Sequence, residues 1–80
     1  MARETLHIVQ AFAAARGGLR ADPAQQFPTA ERARREAEKL AATKLGVVAF
    51  STSGDAETGE FDDQPVILFR SGKLPEQFES

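Results

Sequence analysis

Few residues in this sequence could do chemistry, and its single histidine, His7, is the first of them. An imidazole acts as a general base only where a carboxylate and a substrate pocket gather around it. The chain has no cysteine, so His7 has no thiol to activate, and one histidine cannot build a His-rich metal site. The plainer expectation is a strand residue facing solvent or the rim of a sheet. The hydroxyl run Ser51-Thr52-Ser53 precedes Gly54. It lacks the further glycines, the lysine and the following helix of a phosphate loop. Serine and threonine at a strand end more simply bond to nearby backbone in a turn.

Asp55, Glu57, Glu60, Asp62 and Asp63 form an acidic stretch without a basic residue. Hard cations take such oxygen ligands, but the spacing is not that of a calcium loop. Counted from Asp55, the glycine position falls on Glu60 and the closing glutamate position on Val66. A solvated loop is the simpler reading. Arg16-Gly17-Gly18 resembles one copy of an RGG motif, yet a Gly-Gly hairpin turn explains it fully. Arg16, Arg20, Arg32, Arg34 and Arg35 could form a basic patch for nucleic acid. Glutamates interleave with the last three, and the chain has no Tyr or Trp for base stacking.

These residues need elements to position them. Eighty residues make one domain, expected to be ordered over about 4–72 with a tail over 73–80. Ordering costs roughly 1.5 kcal/mol per residue, so most apolar side chains are needed for the core. A helix is predicted over Ala30–Leu45. Thr29 supplies an N-cap hydroxyl, Glu31 and Lys44 suit the helix dipole, and Gly46 is the expected C′ residue. Ala30, Ala33, Ala37, Leu40, Ala41 and Leu45 share its apolar face. Its outer face offers the i,i+4 pairs Glu31–Arg35, Arg32–Glu36 and Arg34–Glu38, each worth a few tenths of a kcal/mol.

Two strands are predicted after the helix, over 47–52 and 66–71, from their β-branched and Phe content. Before it, residues 6–15 fit either strand or helix. The Gly17-Gly18 turn favours a strand that pairs back over 19–22, with Pro23 at a sheet edge. The predicted fold is therefore α+β: a ββαββ domain with a four-stranded, mainly antiparallel sheet in order 2-1-3-4 and one helix packed on one face.

The segments L-H-I-V-Q-A-F, R-G-G-L, A-E-K-L-A, G-V-V-A-F-S-T-S-G-D-A-E-T-G-E-F-D-D and I-L-F-R-S-G-K-L-P cover nearly the whole chain. In this pattern the chain resembles small ββαββ proteins of alphaproteobacteria, a group of unknown function. The resemblance implies a compact bacterial domain and brings no activity with it.

The net charge of −2 opposes non-specific attraction to nucleic acid, so that partner is disfavoured. The charge is uneven: residues 1–46 hold eight Lys/Arg against five Asp/Glu, and residues 47–80 hold two against seven. No signal peptide is read at the N-terminus, and no apolar run is long enough to span a bilayer. A cytoplasmic location and no membrane contact are expected, with no cofactor and no metal.

These readings predict a non-enzymatic interaction module acting on a protein partner or as a homodimer. A nucleic-acid binder using the five arginines above is the alternative, and a metal enzyme built on the acidic stretch ranks last. One helix covers one face of such a sheet. Leu6, Ile8, Phe12, Val48, Phe50, Ile67 and Phe69 are assigned to the helix side, because large residues complement an alanine-rich helix. Alternation then places His7, Val9, Ala11, Val47, Ala49, Val66, Leu68 and Arg70 on the open face, all but Ala11 being assigned to the interaction surface. Leu74 and Phe78 could instead fold back over it.

Overall fold

A computed structural model of the chain describes residues 3–55, 57–61 and 65–75. β1 (Arg3–Ala15) is a strand of thirteen residues, so the ambiguity over 6–15 resolves as extended chain. It turns through Arg16 and Gly17 into β2 (Gly18–Ala21), with Ala15 paired to Gly18. The two loop residues are thus Arg-Gly, where Gly-Gly was expected. Gly17 takes the left-handed φ of 85°, while among the described residues no non-glycine residue has positive φ. A type I′ turn needs positive φ at both central residues, so this turn is of another kind.

Pro23 does not end the pairing on this side of β1. The chain steps out through Asp22, Pro23 and Ala24, then returns as β3 (Gln25–Phe27), which pairs with the same strand at His7–Val9. The Asp22 N–H still bonds to the Ala11 carbonyl at 2.9 Å, bridging the gap.

The helix α1 (Ala30–Leu40) opens as predicted: Thr29 is extended, and its hydroxyl accepts the Arg32 N–H at 3.1 Å. It ends earlier than predicted, with Ala41 as C-cap. Beyond it the Thr43 and Lys44 amides both bond to the Leu40 carbonyl, and the helical ladder is lost. Gly46 is not a helix cap. It is the first residue of β4 (Gly46–Asp55), paired to Phe12 on one side and Gly72 on the other. β4 is longer than predicted, and a turn at Gly59 (φ 77°) leads to the short β5 (Glu60–Phe61). β6 (Val66–Gly72) follows.

The architecture is α+β, with one helix and an antiparallel sheet of six strands among the described residues, where four strands were expected. β4 lies at its centre. β1 pairs with it over all ten residues, from Phe12↔Gly46 to Arg3↔Asp55. A strand has two edges, so β5 and β6 share the other edge of β4, one after the other. β2 and β3 similarly share the far edge of β1. The chain order is βββαβββ, because each outer position is split into two short strands.

Two apolar clusters lie on opposite faces. Val9, Ala11, Val47 and Ala49 pack beneath Ala33 and Ala37 of the helix, with Phe27, Leu40, Leu68 and Phe69 around them. Phe12, Val48 and Leu74 form the second cluster, flanked by Leu19 and Phe50. Burying Val9 and Val47 fully contributes about 1.5–3 kcal/mol each.

This reverses the expected assignment of faces. Val9, Val47 and Ala49 are not an open surface; they lie under the helix. Ala33 and Ala37 have almost no side chain, so the helix sits close to the sheet. Only Val and Ala fit below it, and the bulky Phe12 and Phe50 go to the other side. The pairing also slips by one residue between Ala49 and Phe50, where Ala49 meets Phe69 and Phe50 meets Ile67. Leu68 is the extra residue of this bulge, and alternation along β6 breaks there. Val66 shares the helix-side parity of Ser51, whereas Arg70 sits opposite Val48 on the far face.

Candidate interaction surface

His7 shares its face with Val9 and pairs across the ladder with Ser51. Its Nδ1 lies 2.7 Å from the Ser51 hydroxyl, in a half-buried contact. Two residues along, the Thr5 and Ser53 hydroxyls are 2.9 Å apart. These are cross-strand partners of one ladder, and such pairs stabilise a sheet. A serine beside a histidine also has the composition of a nucleophile and its base. That chemistry needs a third group to orient the base and a place for the substrate. Neither is seen at this pair among the described residues.

The acidic stretch is used for turn formation. The Asp55 side chain accepts the Glu57 N–H at 2.9 Å, and its carbonyl accepts the Gly59 N–H at 2.8 Å. Among the described residues no three His, Asp or Glu side chains converge as metal ligands. Asp62 and Asp63 lie outside the described residues, as does Phe78.

The five arginines divide between two elements. Arg16 and Arg20 belong to the β1–β2 hairpin, and Arg32, Arg34 and Arg35 to the helix. Arg35 pairs with Glu31 at 3.0 Å and Arg34 with Glu38 at 3.3 Å, as the spacing predicts. Glu36 approaches Lys39 at 4.0 Å, not Arg32. The glutamates thus neutralise much of the charge a phosphate backbone would need.

Lys44 and Asp22 form a contact that sequence spacing did not reveal. The Lys44 ammonium lies 2.8 Å from Asp22 Oδ2. The Lys44 hydrogen bond holds the Asp22 carboxyl below its ordinary value, against a smaller opposing effect of burial. The Gln10 side-chain amide also donates to the Asp22 carbonyl. Asp22 thereby ties the end of β2 to β1 and to the segment after the helix. A cleft of about 340 Å³ lies beside it, with Val9, Ala11 and Leu40 in its wall. The two charges at this cleft are already engaged with each other, which leaves it little means of selecting a ligand.

The far face is covered unevenly. At one end, Leu74 packs over Phe12 and Val48, residues expected beneath the helix, and not over Val9 and Val47. Gly72 adopts φ 74°, and the Lys73 N–H bonds to the Leu45 carbonyl at 3.0 Å. The crossing is tight: a Cβ on Gly46 would lie 1.7 Å from the Lys73 carbonyl oxygen. Towards the other end, Leu6, Ile8 and Phe50 are only half-buried. Beside them at the margin is Ile67, 39% exposed, and next to it on the helix-side face is Val66, 64% exposed.

Among the described residues β6 pairs with no strand other than β4, so it borders the sheet. Of the seven residues assigned to an interaction face, Val66 and Arg70 are exposed. His7 and Leu68 are half-buried, and Val9, Val47 and Ala49 are fully covered. Sequence reading missed Ile67, which it placed beneath the helix. The signal was present: a strand that is last in an antiparallel succession borders the sheet, and one with apolar residues at both parities cannot bury both.

No protein-family model, no curated protein and no solved structure matches the chain. No helix among the described residues is long and apolar enough to cross a membrane.

Proposed function

We propose that this protein is a non-enzymatic interaction module that engages another polypeptide along the β6 margin of its sheet. The observation that supports this most is the exposure of Val66 and Ile67 at the start of the strand that borders the sheet among the described residues. A chain of 80 residues has few large apolar side chains beyond those its core requires. An open strand edge presents donors and acceptors in the spacing that an extended chain satisfies. Leu6, Ile8 and Phe50 continue the apolar surface onto the far face, away from the helix. The reading keeps the expected role but moves it off Val9, Val47 and Ala49.

The test is a photo-crosslinking amino acid placed at Val66 in living cells, with one at Arg34 on the outer helix face as control. Discrete protein adducts from position 66 alone, lost when Ile67→Lys is added, are expected. Equal labelling from both positions, or none from position 66, would remove the proposal.

A further inference from the structure

We infer that the groove between β3 and α1 binds a mononucleotide, with its phosphate on Arg32 and Lys39 and its base against Phe27. The site lies at the opposite margin of the sheet from β6 and goes beyond the interaction reading above. Arg32, Arg35, Glu36 and Lys39 stand at steps of three and four residues, so they form one stripe along the helix. That stripe and Phe27 line a groove of about 310 Å³. Small-molecule sites begin at roughly 300 Å³. β3 pairs with β1 at His7–Val9, and this holds Phe27 beside the helix. Phe27 packs on the core with part of its surface and lines the groove with the rest.

The charges of the groove are not balanced, since three cations meet one carboxylate. Among the described residues the Arg32 guanidinium has no ion pair and no hydrogen bond. Glu36 stands 4.0 Å from Lys39, a loose contact. Arg35 pairs with Glu31 in solvent, where such a pair is worth little. An unengaged guanidinium fork takes two oxygens of one phosphate, and a lysine adds a point charge. Arg32 and Lys39 start about 10 Å apart along the axis, a gap that two long side chains close on one phosphate. Glu36 opposes a bare anion, but it accepts N–H groups such as those of a base. A single strand would need a row of stacking rings and a run of unengaged cations. The groove has one aromatic ring, the neighbouring Arg34 is paired with Glu38, and the chain is net negative. A single nucleotide needs one ring and one cationic pair.

The test follows amide shifts of the isotope-labelled chain during titration with adenosine monophosphate, adenosine or inorganic phosphate at low salt. Saturable shifts are expected at Phe27 and along residues 32–39, with the nucleotide bound at least about tenfold tighter than either of its parts. Arg32→Gln should weaken nucleotide binding about tenfold. Phe27→Leu keeps an apolar side chain on the core but removes the ring, and should weaken it by a similar factor. Arg34→Gln, on the other flank of the helix, should leave it unchanged. Circular dichroism on each variant establishes that it remains folded. An absence of saturable shifts at millimolar nucleotide, phosphate bound as tightly as the nucleotide, or an equal loss with Arg34→Gln would each overturn the site. An oligodeoxyadenylate bound more tightly per nucleotide than the monophosphate would also overturn it, and would make a single strand the ligand.

Discussion

Val47 and Val48 are neighbours in β4, both fully buried, and each is covered by different means. Val47 lies under an eleven-residue helix whose contact residues are Ala33 and Ala37. Val48 lies under Leu74, which follows β6 on an irregular segment. The first cover is broad and close, and its small side chains leave no slack. Among the described residues the second is narrow and consists of one side chain held by the tight passage of Lys73 over Gly46. Equal burial therefore does not mean equal robustness: the helix side resists enlargement, and the far side is sensitive to removal.

The largest expected effect tests the closeness of the helix. Ala37→Leu adds three carbons where there is no room and should cost about 3 kcal/mol. A domain of this length holds roughly 4–12 kcal/mol in total, so urea denaturation should show roughly a quarter to three-quarters of that reserve gone. The far side is tested by deletion. Leu74→Ala should cost about 2 kcal/mol, and amide exchange at Phe12 and Val48 should quicken. Gly46→Ala should displace the same segment by pushing on the Lys73 carbonyl. If both act through that one cover, adding Leu74→Ala to Gly46→Ala should cost much less than it does alone. Full additivity would show that Leu74 is held by something other than the passage over Gly46.

A smaller effect distinguishes the clamp beside the helix exit. The Asp22 carboxyl is depressed in the folded chain, chiefly by Lys44. Its contribution to stability is present above the ordinary carboxylate value of 3.8 and is lost as pH falls through the lower folded value. Asp22→Asn should therefore flatten the acid limb of the stability curve below that value, leaving its shape near neutrality unchanged. The smallest effect belongs to the open margin. Ile67→Thr, on a side chain 39% exposed, should change the stability of the monomer by no more than about 0.5 kcal/mol.

How far the sequence discloses this fold depends on the range over which each decision is made. The helix start was legible because Thr29 acts on an amide three residues away. Of the six strands, β4 and β6 were legible from β-branched and aromatic runs, whereas β3 and β5 were not. Which face of the sheet meets the helix was not. Val47-Val48-Ala49-Phe50 is apolar at both parities, so alternation separates the faces without saying which is covered. The choice is made by the size of residues on α1, and the rule that large complements small pointed the wrong way. Small residues on both layers, Ala11 and Ala49 against Ala33 and Ala37, permit the close approach. The bulge at Leu68 and the return of β3 after Pro23 are decided by pairing with distant strands, and local composition marks neither. The exposed margin was within reach of inference, since Val66 and Ile67 follow directly from the edge position of the last strand.

The β1–β4 ladder also sets how this chain must assemble. Its partners lie from 34 positions apart, at Phe12 and Gly46, to 52 apart, at Arg3 and Asp55. The hairpin through Gly17 and the helix close over short loops and can form within microseconds. Neither holds the sheet together. The central pairing must instead close a loop of more than thirty residues before any of its bonds form, and that entropy is lost early in folding. Refolding should therefore be slow for a chain of this length, on the order of milliseconds to seconds. The hairpin and helix lie within that loop, so preforming them shortens the search. A slower phase should appear when the Arg16–Gly17 turn is lengthened, even though that turn touches neither end of the ladder.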